Sequence, residues 1–447
     1  MLLPHSIRDR LGELAIPIAL AVVAAVATVA TWGEQTLEGR QAARWLADRV
    51  LEQPRTAVDG DRRRTIIVVP DTAAARGLAD AVAAELAAAD APPVEIVAGG
   101  PPALRRTLEA AARDTRPTGA VVADRTAAGW PAVAKGLAAF PAATRPALVV
   151  PPTSRGATFL TRDNLRNIAD QIAVIAIIAI GMTLVIISGG IDLSVGSVLA
   201  LAGVVTAIVV RDCFGGAAAG AGGMTLAGIA GVAVGAACGL SSGLLVAVVR
   251  MPAFVATLGV MLVARGLAFL LTHGESVSDL PEGFTWLGRG RDLFGIPNAV
   301  VLAAALYAAA WVALGRMTFG RYLYALGGAP EAARLAGVPI HPITLAVYTL
   351  CGALAGLGGV IISSQLRSGA PATGEMKELY VIAAVVVGGT SLSGGSGSIV
   401  GTLLGALFIA VVENAMNLTG VESYTQKVVL GLVILAAVGL DVARRRG

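Results

Sequence analysis

Ten stretches of the chain, at 15–32, 168–187, 193–210, 226–249, 254–271, 299–314, 343–363, 379–387, 399–412 and 428–442, are built almost wholly from Ala, Val, Leu, Ile and Gly. A helix crossing the hydrocarbon core of a bilayer needs ~20 mostly apolar residues. Backbone amides find no water there, so each crossing must satisfy its own hydrogen bonds as a helix. Of these stretches, 379–387 and 399–412 are short for a full crossing, which leaves a count of nine or ten. The composition agrees: 55% of residues are hydrophobic and 14% charged, against about 25% charged in a soluble domain. The 55 glycines suit closely packed membrane helices, where small residues let backbones approach. The expected class is a multi-pass α-helical membrane protein of about ten transmembrane helices, carrying a small inserted α/β extracytoplasmic domain.

The insertion shows as a change in composition. Residues 34–155 hold 14 of the 30 acids and 16 of the 34 basic residues, and no run among them is long and apolar enough to span. Short runs at 65–69, 94–97, 120–123 and 147–150 read as strands bounded by Pro and Gly. Helical spacing falls at 72–89, 104–113 and 132–139, and 37–51 reads as an amphipathic helix. Alternating strands and helices predict a small parallel sheet with helices packed on it. A ligand of such a sheet is expected at the carboxyl ends of its strands, near Asp71, Gly99 and Asp124; a cap without ligand fits the same pattern. The expected division is 1–33 as an N-terminal membrane helix, 34–158 as the inserted domain and 159–447 as the helical bundle. The 15–32 run is longer than the ~7–15 residues of a signal-peptide core, which favours a retained anchor over a cleaved leader.

Basic residues set orientation. With both termini in the cytoplasm, the inner side receives Arg8, Arg10, Arg250, Arg316, Arg321, Arg334 and Arg444 to Arg446. Short outer loops receive Arg211, Arg289, Arg291, Arg367, Lys377 and Lys427, with Asp212, Glu275, Asp279, Glu282, Asp292, Glu375, Glu378 and Glu422. The 34–158 segment then lies outside.

Chemistry of a catalytic kind is missing from the sequence. There is no G-x-x-x-x-G-K-[ST] phosphate loop, the histidines (His5, His273, His341) form no helical pair, and Cys213, Cys238 and Cys351 have no metal or disulfide spacing. The net charge of +4 sits at helix ends, which points away from nucleic acid. We therefore expect no enzyme and no cofactor; energy for uphill transport must come from a partner or an ion gradient.

Three stretches stand out. In the inner loop 317–342, Pro330 opens and Gly337 closes a predicted two-turn helix at 330–336, with Glu331 at its positive end. A short exposed helix of this kind can seat in a soluble motor or merely connect two spans. Next, Gly189-Gly190-Ile191-Asp192-Leu193-Ser194-Val195-Gly196-Ser197 places a carboxylate beside hydrocarbon. Asp192 either caps the following helix with Ser194 in its first turn, or faces a polar path. Its echo, Gly388-Gly389-Thr390-Ser391-Leu392-Ser393-Gly394-Gly395-Ser396, matches at six of nine positions, as glycine-interrupted segments of transporters do. Last, Arg265 lies inside a span and must face the bundle interior or water; Glu413 and Asn414 are its expected partners, in a structural ion pair or in the path.

Residues 159–447 closely resemble the permease subunits of ribose-type ATP-binding-cassette importers. The likeness is carried by Phe159-Leu160-Thr161-Arg162-Asp163-Asn164-Leu165-Arg166-Asn167-Ile168, Gly181-Met182-Thr183, the 189–197 motif, Pro252-Ala253-Phe254-Val255-Ala256-Thr257-Leu258-Gly259 with Arg265-Gly266, the 320–337 loop and the 383–407 run. The resemblance implies a pair of permeases around a central path within the membrane lipid, two cytoplasmic ATPase subunits that bind the ATP, and a periplasmic solute-binding protein, all at a bacterial inner membrane. Substrates of the family are mainly pentoses, hexoses and similar polar molecules. By similarity, Glu331, Ala332, Ala333 and Gly337 belong to the ATPase-coupling loop, together with Arg334 and Leu335 between them. Asp192, Ser194, Phe254, Thr257, Arg265, Glu413 and Asn414 are the candidate residues of the translocation path. The 34–158 insertion departs from the family, in which the first helix leads almost directly into the 159–168 motif. It looks like one lobe of a sugar-binding protein. An ion-coupled carrier and a ligand-sensing membrane receptor remain the alternatives.

Overall fold

The structure, a computed structural model, describes residues 5–37, 39–53, 64–89, 91, 93–114, 116–142 and 144–446. The chain forms two compact units: Met1–Thr31 with Thr158–Gly447, and Trp32–Ala157.

It opens with α1 (His5–Ala30), after which the smaller unit runs β1 (Trp32–Thr36), α2 (Gly39–Leu51), β2 (Arg64–Val69), α3 (Ala73–Ala88), β3 (Val94–Ala98), α4 (Pro101–Arg113), β4 (Thr118–Ala123), α5 (Arg125–Ala128), α6 (Pro131–Ala138), β5 (Ala147–Val149) and β6 (Thr153–Ala157). The middle strands form a parallel sheet in the order β3-β2-β4-β5. β2 reads Thr-Ile-Ile-Val-Val from residue 65, apolar without alternation, because both of its faces are covered. Ile67 and Val69 pack with Leu46, Val82 and Leu86 of α2 and α3. Ile66 and Val68 pack with Leu104, Leu108 and Val133 of α4 and α6. β1 and β6 pair antiparallel, with Trp32 opposite Ala157, and so close the unit where the chain enters and leaves it.

The larger unit continues with α7 (Arg162–Ile187), α8 (Val195–Ile208), α9 (Ala221–Ala247), α10 (Ala253–Thr272), α11 (Trp286–Arg289), α12 (Asn298–Arg316), α13 (Thr318–Gly328), α14 (Pro330–Leu335), α15 (Ile340–Leu366), α16 (Lys377–Val387), α17 (Ile399–Leu418) and α18 (Ser423–Arg446). Among the described residues, seven helices are long and apolar enough to cross a membrane: α7, α8 with its π turn to Cys213, α9, α10, α12, α15 and α17. Shorter apolar stretches are Ile16–Ala30 of α1 and Ser423–Gly439 of α18. Seven long helices and two shorter stretches make a multi-pass helical membrane protein; the expected count of about ten also includes α16, whose 11 residues reach only about 16 Å. The 399–412 run is not short: the helix continues through Leu418, and α17 has 20 residues. The 193–210 run starts as a helix only at Val195, because the residues before it are irregular.

Burial separates the centre from the rim. The apolar windows of α7 and α8 are 83% and 72% buried, those of α10 and α12 only 22%. α9 and α15 meet through glycines. Gly231, Gly235, Gly239 and Gly243 recur every fourth residue along one face of α9 and are all buried. A Cβ on Gly235 would overlap the Gly352 carbonyl and lie 2.8 Å from the Gly356 Cα of α15. Backbones therefore touch where lipid-soluble helices have no hydrophobic drive to associate and depend on packing. α1 joins the bundle through Ala27, packed with Phe159, Ile168, Ala410 and Val411.

Candidate functional site

α14 is a two-turn helix held at both ends. Pro330 takes its first position and Glu331 its first turn, where a missing N–H costs nothing and a negative charge meets the helix dipole. The far end closes at Gly337, whose φ is +81°. Its N–H donates to Arg334 O at 3.1 Å, and that of Val338 to Ala333 O at 3.0 Å, the Schellman arrangement. Arg334 binds Glu331 on one face at 2.9 Å. Ala333 is buried, whereas Leu335 is 83% exposed. Ala332 completes the turn. The helix thus offers a small charged and apolar face, rooted by one alanine.

The residue joining α14 to α13 is Ala329, which donates to Ala325 O (3.0 Å) and accepts from Ala333 N (2.9 Å). The far side of α13 lies on two glycine turns. Gly395 N donates to Ile187 O at 2.9 Å. A Cβ on Gly327 would overlap that same carbonyl and lie 2.5 Å from Gly395 N. Tyr324 Oη donates to Gly397 O at 2.9 Å. A Cβ on Gly394 would stand 3.0 Å from Gly189 Cα. The two echoing motifs of the sequence therefore meet, and α13 covers their junction.

From Gly189, at φ +85°, the chain runs irregularly to Ser194 before α8 begins. Irregular backbone inside a membrane bundle must bond to protein, and here it does. Asp192 is fully buried; its Oδ1 accepts from Ser194 N at 2.9 Å and from Ser194 Oγ at 2.6 Å. The carboxylate thus closes an Asx-type turn ahead of the helix. It does not cap α8: Ser194 is the N-cap, and its side chain makes no capping bond. Thr257 of α10 fastens the same stretch. Its Oγ1 accepts from Leu193 N at 3.2 Å, and its single proton is shared between Ala253 O at 3.0 Å and Ile191 O at 3.3 Å. Asp192, Ser194 and Thr257 are thus brought together.

Phe254 stands one turn before Thr257 on α10 and is 56% exposed. Arg265 lies farther along the same helix, half-buried. Its expected partners are corrected. The acid whose charge it affects is Glu378 at the start of α16, and among the described residues it forms no ion pair within 4 Å. The Glu378 carboxylate rests against Gly196 in the first turn of α8. Asn414 belongs instead to a reciprocal amide pair with Asn164: each Nδ2 donates to the other's Oδ1, at 2.9 and 2.8 Å. Asn164 Nδ2 also donates to Phe159 O at 2.9 Å. Glu413 packs near Tyr380, Met416 and Gln426, with a buried Oε2 that has no hydrogen-bond partner. Sequence reasoning missed the amide pair and Glu378. Their elements lie far apart in the chain, and only the presence of Asn in an apolar run could have flagged the first.

A groove of about 390 Å³ runs along α10 and the end of α9, lined by Leu245, Met251, Val255, Val260, Val263 and Leu267 among others. Its lining suits acyl chains or apolar side chains, not sugar hydroxyls. In the smaller unit, the acids at the strand ends already have local roles. Asp124 Oδ1 accepts from Ala127 N at 2.7 Å and caps α5, and Asp71 pairs with Arg76. Gly99 N donates to Val69 O at 3.1 Å.

Residues 164–438 match the family described as "branched-chain amino acid transport system / permease component". The chain is 46% identical over 298 residues to the ribose import permease protein RbsC of Escherichia coli (strain K12), covering 66% of this chain and 90% of that one. It is 43% identical over 296 residues to RbsC of Bacillus subtilis (strain 168), covering 66% and 89%. It is 38% identical over 287 residues to the L-arabinose transport system permease protein AraH of Escherichia coli (strain K12), covering 63% and 84%. No solved structure matches the chain.

Proposed function

The chain belongs to the branched-chain amino acid transport system permease family, and from that premise we propose that it is the membrane-spanning subunit of an ATP-binding-cassette importer for a monosaccharide. It is a multi-pass membrane protein and a transport component, not an enzyme. The observation that carries the proposal is the likeness to a ribose permease along 90% of that protein's length. The geometry supports it: α14 is a short, capped, exposed helix of the form a motor subunit can grip. In this reading Glu331, Ala332, Ala333, Arg334, Leu335 and Gly337 seat a cytoplasmic ATPase subunit, which binds the ATP. Asp192, Ser194 and Thr257 hold the irregular stretch beside the path. Phe254 and Arg265 lie along α10 towards a second permease copy or the solute. Glu413 and Asn414 brace α17.

Both termini are cytoplasmic in this arrangement, which sets Arg250, Arg316, Arg321 and Arg334 on the side of α14. The unit at 34–158 then lies outside, facing a periplasmic solute-binding protein. Membership of this family favours the importer over an ion-coupled carrier or a receptor.

Reconstitution with the ATPase and binding protein tests the function. We expect ribose or arabinose uptake that requires all three proteins and ATP, with no ATP hydrolysis by this chain alone. Uptake driven by an ion gradient without the ATPase would overturn the reading. Labelling Gly100→Cys with an impermeant reagent in intact spheroplasts tests the topology; labelling only after lysis refutes it.

A further inference from the structure

We propose that the C-terminal half of α13 carries movement of α14 to the irregular stretch before α8 and on to α10, with Tyr324 as the positioning residue that fixes its grip. The proposal rests on reading α14 as the ATPase seat and adds the route by which that seat acts.

Each joint of the route is short. Ala329 alone separates α13 from α14, and both of its backbone groups are bonded into the helices, so a displaced α14 takes α13 with it. In its last turn, beside Ala329, α13 presents Gly327 and Gly328. Gly327 lies on the Ile187 carbonyl, and a Cβ on Gly395 would stand 2.5 Å from Gly328 Cα. These contacts are backbone on backbone, with no side chain between them to absorb a shift by changing rotamer. Gly395 N in turn holds Ile187 O at 2.9 Å. Tyr324 holds the second glycine turn through Gly397 O at 2.9 Å.

Ile187 is the last residue of α7, and the irregular stretch starts just beyond it. That stretch is fastened to α10 by Thr257, whose Oγ1 accepts from Leu193 N at 3.2 Å and lies 3.3 Å from Ile191 O. A continuous series of bonded elements therefore leads from the exposed helix to the least buried long helices of the bundle. Packed elements of this kind move as discrete units between alternative seats and do not deform smoothly. Between α13 and the glycine turns the joint made by a side-chain hydroxyl is that of Tyr324, so it can be removed without disturbing the backbone.

The test uses the complete importer in liposomes, comparing Tyr324→Phe with the unaltered chain. Three quantities are read: ATPase co-purification, apparent melting midpoint in detergent, and sugar taken up per ATP hydrolysed. We expect the first two to hold and the third to fall by roughly three- to tenfold, the scale of one hydrogen bond made in one state and lost in the other. Gly395→Ala, which adds bulk between the glycine turn and Gly328, is expected to lower the same ratio further. An unchanged ratio in Tyr324→Phe overturns the proposal. So does a melting midpoint that falls together with uptake and hydrolysis, because a simple brace would behave that way. The premise fails by a different result: a Glu331→Lys chain that still co-purifies with the ATPase.

Discussion

Replacing Gly337 with valine isolates the contribution of one backbone conformation. Nothing lies within 4 Å of where its Cβ would go, so added bulk meets no neighbour. The cost comes from φ +81°, a left-handed conformation that strains L-residues by about 1–2 kcal/mol and β-branched ones most. α14 has six residues and one buried side chain, Ala333, so little else holds its last turn. The strain is relieved most cheaply by unwinding that turn. At about 1.4 kcal/mol per factor of ten, the ordered fraction of the helix end falls roughly five- to thirtyfold relative to the unwound one. Co-purification of the ATPase and sugar uptake should fall accordingly, while membrane insertion and the melting midpoint of the bundle stay unchanged. The order of effect is diagnostic: Gly337→Asn mildest, because Asn tolerates this region, then Gly337→Ala, then Gly337→Val. Equal effects across the three, or a valine variant that binds its ATPase like wild type, would refute the reasoning.

Asn164→Leu or Asn414→Leu strands a buried amide and should lower the detergent melting midpoint by an amount equivalent to about 1–3 kcal/mol; the double variant should lose less than the sum. Gly235→Ala drives a methyl into the α15 backbone and should cost about 1–3 kcal/mol as an overpacked contact, whereas Gly222→Ala on the same helix, with open space around it, should not destabilise. Arg265→Leu should insert normally yet transport roughly tenfold less or worse, if its guanidinium contributes a charged hydrogen bond of about 1.5–3 kcal/mol to passage; normal uptake would place it outside the path.

The local devices were legible because they are written in a few consecutive residues. Pro330, Glu331 and Gly337 mark a helix at 330–336, and α14 spans Pro330–Leu335. Apolar runs located the long helices to within a few residues. The arrangement of those helices was not legible. In lipid an outward face is as apolar as an inward one, so periodicity could not separate the buried α7 from the exposed α10. The irregular stretch before α8 was hidden for the same reason, since Leu193 and Val195 read as the start of a span. Arg265 was assigned to Glu413 and Asn414 because they were the polar residues visible in a later apolar run. Glu378, the acid its charge reaches, falls in what the sequence reads as an outer loop. Asn164 sat in the quoted 159–168 motif, but nothing in its surroundings named a partner 250 residues away.

Thr158 N donates to Thr31 O at 3.2 Å, so within the larger unit the chain leaves α1 and returns to it at a single point. Beyond that point the strands β1 and β6 zip the smaller unit shut in register. A segment tethered through one stem behaves as a cassette. It can be cut at its base and the stump sealed with a tight turn, or exchanged for another fold of matching stem width, while the bundle keeps the same neighbours at Ala27 and Phe159. The gene can thus vary what this protein displays without re-solving how its helices pack.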